Sequence, residues 1–389
     1  MTRRIPPSIP RAIIVALGVG LVSAGIIRNA DAEPTFLSKQ YTRCSTCHYS
    51  DTGGGLLTPY GRSLSREAIS MLGASDLEEA ETATGAAREE DFLGGILDDI
   101  FNPVQLGLDL RPSHLEFASD GRSTTSRNFF MNLDLIAAYQ DEKWTLYGEV
   151  GRQPSASTSP LGSYEHWVGY RLTGSLQLRA GRFAPAYGIR FADHTALPRR
   201  LLGLTQYDQL YGVELGISTD RTLLQIALSP GLADSIVDND GRQAFTTSGR
   251  IQVDLNSRSV VVGSVLYRQA SDIAPQSIDV GVAVGLAPTP RVTTWTQVDL
   301  RTQDQPFSDR AYIVAHQTSL EVIRGLWVRV SPQLHWTDRN SQSEIRRLVF
   351  GADVYPRTHW HVNLSYYRDR TPFFDSSSRT FLAQLHLYL

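Results

Sequence analysis

The strongest constraint on this chain is a period of two. From Val104 onward, apolar and polar residues alternate in sixteen separate runs, beginning with 104–117 and 128–140 and ending with 360–369 and 380–389. Val298 and Leu300 alternate with Gln297, Asp299 and Arg301. Val328, Val330 and Leu334 alternate with Arg329, Ser331, Gln333 and His335. Successive side chains of a strand point to opposite faces, so each run presents one apolar and one polar face. A β-sandwich shows the same alternation, and the connections separate the two architectures. Tight turns are expected at Asp141-Glu142, Thr173-Gly174, Asp220-Arg221, Asn256-Ser257, Pro288-Thr289, Arg324-Gly325 and Arg357-Thr358, with longer polar loops between them. Sixteen up-and-down strands give seven turns and eight loops when both ends of the chain lie on the turn side.

The expected fold is therefore all-β. It is a transmembrane antiparallel β-barrel of about 16 strands over 102–389, apolar outside and polar inside, preceded by a short α-helical segment. Phe381, Ala383, Leu385, Leu387 and Leu389 keep an apolar face to the last residue. Met131 shares strand parity with Phe129, Leu133 and Leu135, which predicts that it faces lipid. The longest loop, 184–209, is the third of the long ones and resembles in position the inward-folding constriction loop of general porins. It carries Arg190, Asp193, His194, Arg199 and Arg200, which either line a pore, hold a metal ion or form an ordinary charged surface.

Three N-terminal segments precede the barrel. Residues 1–32 read as a signal peptide: Arg3 and Arg4, an uncharged apolar run from Ala12 to Ile27, then Ala30-Asp31-Ala32, with cleavage expected before Glu33. Residues 33–74 form a small segment, and 75–101 an acidic linker read as a solvated or partly helical spacer. No later run is long and apolar enough for a spanning helix, so a mature chain in a membrane must sit there as a barrel. A formal net charge of -3 lacks the basic excess of a nucleic-acid binder.

The small segment contains Cys44-Ser45-Thr46-Cys47-His48, and Cys44 and Cys47 are the only cysteines. In C-x-x-C-H the two thiols add to haem vinyl groups as thioethers, and the histidine supplies the proximal iron ligand. The expectation is one covalent haem c on Cys44 and Cys47, with His48 proximal. A thioredoxin-like motif needs a βαβ context that is not visible, a zinc site needs four ligands, and a disulfide is the remaining alternative in an oxidising compartment. For the sixth position the candidates are Met71, on a short helix expected over 65–72, a lumen histidine, or no ligand. Forty residues rarely bury enough surface to fold alone, so the segment needs a sheath, and the barrel is wide enough to be one.

These residues resemble the fused monohaem cytochrome c–porin proteins of iron-oxidising bacteria, the outer-membrane iron oxidases. The likeness runs through the signal peptide, Pro34-x-Phe36, the haem motif and the barrel. Leu57, Gly61, Arg62 and Leu64 also match the family's Leu-Asn-x-x-Gly-Arg-x-Phe stretch, with Thr58 in place of Asn and Leu64 in place of the aromatic; the acidic linker is a departure. The resemblance implies an outer-membrane electron conduit. Electrons from an extracellular donor such as Fe(II) would pass to a periplasmic c-type cytochrome, making the chain an Fe(II) oxidoreductase or an electron carrier embedded in outer-membrane lipid. A transport porin with a haem-bearing plug, or a haem enzyme such as a peroxidase using Arg62 or His194, are the alternatives.

Overall fold

The structure is a computed structural model that describes residues 35–50, 53–68, 70, 72–73, 103–152, 161–205, 208–230, 245–270, 275–304, 309–338 and 344–388. The signal peptide, its cleavage site, the acidic linker and Met71 lie outside the described residues.

Every alternating run forms a strand. In chain order they are β1 (Val104–Ser119), β2 (Thr125–Gln140), β3 (Trp144–Arg152), β4 (Leu161–Gly162), β5 (His166–Arg171), β6 (Leu176–Phe183), β7 (Leu210–Ser218) and β8 (Thr222–Ser229). Then follow β9 (Thr246–Asn256), β10 (Ser259–Arg268), β11 (Ser277–Thr289), β12 (Val292–Gln303) and β13 (Asp309–Ile323). The last are β14 (Leu326–Thr337), β15 (Ile345–Val354), β16 (Trp360–Thr371) and β17 (Ser376–Tyr388). Neighbours in sequence pair antiparallel throughout, and β1 pairs with both β2 and β17, closing the cylinder. β4, two residues long, adds a short pairing to the end of β3; sixteen long strands make the barrel.

The outer face is apolar because the even register of each strand turns its aliphatic residues away from the lumen. Leu135, Leu146, Val213, Ile226, Val265, Val280 and Val282 are exposed there. The inner face is polar and filled: Arg179, Glu214, Gln225, Gln252, Asp279, Gln297, Asp299 and Gln333 are all buried. Charges inside a barrel persist when paired, and Arg179 donates to Glu214 at 2.8 Å while Arg301 grips Asp279 at 2.6 Å. Among the described residues no helix is long and apolar enough to cross a membrane; strands are the elements with the right face.

Three local expectations are corrected. Met131 is buried on the lumen side against Val349, Tyr367 and Leu382. The β1–β2 register advances two residues from Leu110 to Pro112 while β2 advances three, from Leu133 to Phe130. That bulge reverses the parity, so Phe130 joins Leu133 and Leu135 outside. The fourth and fifth tight turns fall at Ser257-Arg258 and Pro290-Arg291, not at Asn256-Ser257 and Pro288-Thr289, because Asn256 still pairs with Ser259 and Thr289 with Val292. Pro288, which has no N–H to give, sits within the register shift between Leu286 and Thr289.

Loop 184–209 folds into the lumen, as its length and place suggest. Polar side chains of the wall hold its backbone. Gln297 accepts from the N–H of Ile189 at 2.9 Å, Gln333 from that of Leu197 at 2.7 Å, and Arg250 donates to the Gly188 carbonyl at 2.9 Å. Its short helix α2 (Leu197–Leu201) packs Leu197 and Leu202 against Leu266 and Ile313 of the wall.

Candidate functional site

The segment that precedes the barrel enters the lumen from the short-turn end. Two 3₁₀ turns, Phe36–Lys39 and Cys44–Thr46, lead to helix α1 (Pro59–Ala68). This helix begins six residues before the expected one. Thr58 caps it, its Oγ1 accepting from the Gly61 N–H at 3.1 Å, and Pro59 occupies the first helical position, where its missing N–H is harmless. Threonine can thus do the capping that an asparagine would do at that place.

The C-x-x-C-H residues are gathered on one turn by the Cys44 carbonyl, which accepts from the N–H groups of Cys47 at 3.1 Å and His48 at 2.9 Å. A returning segment covers the turn. His48 forms a β-bridge with Leu57, and the Thr58 N–H donates to the Cys47 carbonyl at 2.8 Å. Gly61 is required where α1 crosses this backbone, since a Cβ there would lie 2.3 Å from the Cys47 oxygen. Leu57 and Leu64 then pack with Phe36, Tyr41 and Tyr355 around Cys47, while Arg62 donates to the Leu106 carbonyl of β1 at 2.8 Å. Neither cysteine is in a disulfide.

The barrel wall completes the segment's core. Leu37 is fully buried among Val260, Val262, Ala283, Trp295 and Ala315 of the wall and Ile189 and Phe191 of loop 184–209. Tyr49 and Leu56 pack with Tyr147, Trp167 and Phe183. Each fully buried leucine gains about 1.5–3 kcal/mol relative to exposure. Polar contacts fix the position: Arg43 donates to Asp254 at 3.0 Å and Ser218 at 2.9 Å, Arg179 donates to the Ser50 hydroxyl at 3.1 Å, and Lys39 pairs with Glu321. At the exit, Arg324 donates to the Ser70 carbonyl at 3.0 Å and accepts from the Gly73 N–H through its own carbonyl at 3.0 Å.

His48 lies deep in this assembly. Burial pushes its pKa down to about 4, helped by the Arg190 cation and opposed by hydrogen bonds with the backbone of Gly54 and Gly55. Its ring is therefore neutral at pH 7, and its Nδ1 is buried without a hydrogen-bond partner. Cys44 lines a recess, partly open to solvent, between the plug and loop 184–209. Tyr187, Ile189, Arg190, Arg199, Arg250 and Trp295 form much of its wall.

Three residues that the motif reading missed shape this region. Gly53, Gly54 and Gly55 have φ of 78°, 78° and 63°, and a Cβ on them would meet Cys44 Sγ at 3.2 Å, the Arg190 guanidinium at 2.9 Å and the Tyr147 hydroxyl at 2.0 Å. A run of three glycines just after the motif was the available signal. Arg62 and His194 do not line the recess. Asp193, beside His194, instead accepts from the N–H and hydroxyl of Thr195 at 2.8 and 2.7 Å, and no group of three potential metal-ligating side chains converges among the described residues.

No family profile and no curated protein matches the chain. Solved structures do. OprB of Pseudomonas putida superimposes with a TM-score of 0.58 at 10% identity, covering 79% of this chain and 97% of that one. OmpF of Salmonella typhi, solved with daunomycin, gives 0.57 at 8%, covering 74% and 97%. An anion-selective porin from Comamonas acidovorans gives 0.52 at 10%, covering 74% and 99%. The fold is that of a porin. At these identities the likeness is one of fold, and it spans about three quarters of this chain, as a match to the barrel without the plug would. Within the porin fold, the plug and its C-x-x-C-H turn are what this chain's own sequence supplies.

Proposed function

We propose that this porin-type barrel works in the outer membrane as an electron conduit, with one covalent haem c held on Cys44, Cys47 and His48 inside the lumen. The carrying observation is the lodging of the C-x-x-C-H turn within the barrel, on a plug whose core the wall completes. A bound haem would supply one-electron exchange. The chain's residues suit such a group: the two cysteines share one turn, the His48 ring is neutral with an unpartnered nitrogen, Cys44 opens on a recess, and Cys47 has an apolar bed. The net reaction takes one electron from Fe(II) outside, leaving Fe(III), and reduces the iron of a periplasmic c-type cytochrome. Both ends of the barrel, and the plug's entry, lie at the short-turn rim, which this reading puts in the periplasm. The short turns there carry exposed Lys143, Arg221, Arg291 and Arg357 beside exposed Asp141, Glu142 and Asp220, a rim of mixed charge.

What the chain does is hold, bury and seal. Arg43, Lys39 and Arg179 fix the plug; Leu37 and Leu56 exclude water around it; loop 184–209 closes the far side. Purified protein in sealed liposomes tests the proposal. With an impermeant Fe(II) chelate outside and a c-type cytochrome enclosed, the cytochrome is reduced; no reduction with any external donor ends the conduit reading. The second reading, a transport porin whose plug moves aside, is favoured by the polar lumen and its inward loop, and predicts solute leakage in the same liposomes.

A further inference from the structure

At the long-loop end, four arginines stand together on the outside of the barrel. Arg368 and Arg379 are directly opposed across β16 and β17, and Arg346 and Arg370 across β15 and β16. Arg368 and Arg370 are two residues apart on one face, so the four form one contiguous patch. Their parity is that of the exposed lipid-side residues: Leu364, Tyr366, Arg368 and Arg370 on β16, Phe381 and Arg379 on β17, Phe350 and Arg346 on β15. One step toward the membrane lies an aromatic row, Phe350 opposite Tyr366 and Tyr366 opposite Phe381, all exposed. Such a row marks the level where a bilayer's hydrocarbon meets its headgroups.

Like charges directly opposed on a sheet are unfavourable, and the protein offsets this only at the edges. Glu344 pairs with Arg346 at 2.7 Å and Asp375 with Arg370 at 3.0 Å. Asp120 is near Arg379 and Arg368, yet its carboxylate is committed to the N–H and hydroxyl of Ser377, and Glu116 sits beside His114. Among the described residues the guanidinium groups of Arg368 and Arg379 have no ion pair. Two forked donors placed at headgroup height above aromatic rings match a phosphate attached to acyl chains. We propose that Arg368 and Arg379, flanked by Arg346 and Arg370, bind the phosphate-bearing headgroup of a lipid in the leaflet at the long-loop end. The chains of that lipid lie along Phe350, Tyr366 and Phe381. This inference depends on the barrel and not on the haem.

The test uses full-length protein in phosphatidylcholine nanodiscs doped with diphosphoryl lipid A or its dephosphorylated form, with bound lipid counted by native mass spectrometry. The diphosphoryl form is expected to be retained about tenfold better, since two charge-assisted pairs easily supply 1.4 kcal/mol. Arg368→Ser/Arg379→Ser loses that preference, whereas Arg221→Ser/Arg291→Ser, at the other rim, keeps it. Should the serine pair fail to insert, the wild type still decides: its preference must weaken as salt rises. An undiminished preference in the serine pair, a salt-independent one, or full displacement by inorganic phosphate overturns the proposal.

Discussion

Two pieces of chain fill the lumen, one from each end, and main chain and side chain hold them in different proportions. Loop 184–209 is stapled mainly through its backbone: Gln297, Gln333, Ser264, Arg250, Arg268, Arg301 and Arg347 of the wall all bond main-chain groups of the loop. The plug relies more on its side chains, through Leu37, Leu56, Arg43 and Lys39, beside main-chain bonds of Thr42 with Gln252, Leu56 with Tyr147 and Ser70 with Arg324. A backbone staple tolerates changes in the loop's own side chains, because the donors and acceptors it uses are present in nearly every residue. A side-chain socket does not. The loop is thus a fixed part of the barrel, and the plug a separable insert whose sequence is specified at particular points.

That contrast can be broken or sharpened by experiment. The largest effect should come from His48→Ala or Cys44→Ala/Cys47→Ala, which abolish haem staining at the barrel's mass while the barrel still inserts. Removing residues 36–73 should leave the sixteen strands paired, visible as heat-modifiable mobility, and raise single-channel conductance from near closure to that of an open porin. Gly61→Ala forces a Cβ against the Cys47 carbonyl and should loosen the plug by about 2–4 kcal/mol, read as faster tryptic cleavage at Lys39 in folded barrels. Arg43→Ala leaves Asp254 without its cation in a mostly buried site, though still accepting from Gln252, and should cost about 2 kcal/mol in the same assay. Tyr187→Phe removes one loop bond, to Asp299 at 2.9 Å, and should cost about 1 kcal/mol with no change in plug release. Equal sensitivity of the plug to Tyr187→Phe and Arg43→Ala would erase the distinction.

The barrel was legible because lipid outside and water or polar packing inside impose one parity on every strand. β7, β8 and β14 begin and end where the alternation does. Met131 was misread because a single bulged residue inverts parity, and nothing in Phe129-Phe130-Met131 marks it. The plug's C-x-x-C-H spacing was directly legible, and the structure gathers those residues on one turn. The plug's socket was not: Asp254, Arg179, Tyr147 and Trp295 are ordinary lumen residues until register and closure bring them to Cys44, His48 and Leu37. Gly61, matched by resemblance alone, acquires a physical reason only when α1 is seen to cross the Cys47 backbone.

The seam where β1 meets β17 closes directly beside the plug, with Ser65 and Tyr388 sharing a hydrogen bond at 3.0 Å and Arg62 bound to β1. The first and last strands thus both form part of the plug's socket. On the proposed function this orders assembly in the cell: the N-terminal piece, synthesised first, would have to receive its haem while still accessible, before the closed cylinder encloses the C-x-x-C-H turn. A chain whose barrel closed first would then enclose an unloaded plug, and pulse-chase labelling of haem attachment against barrel closure would reveal which event comes first.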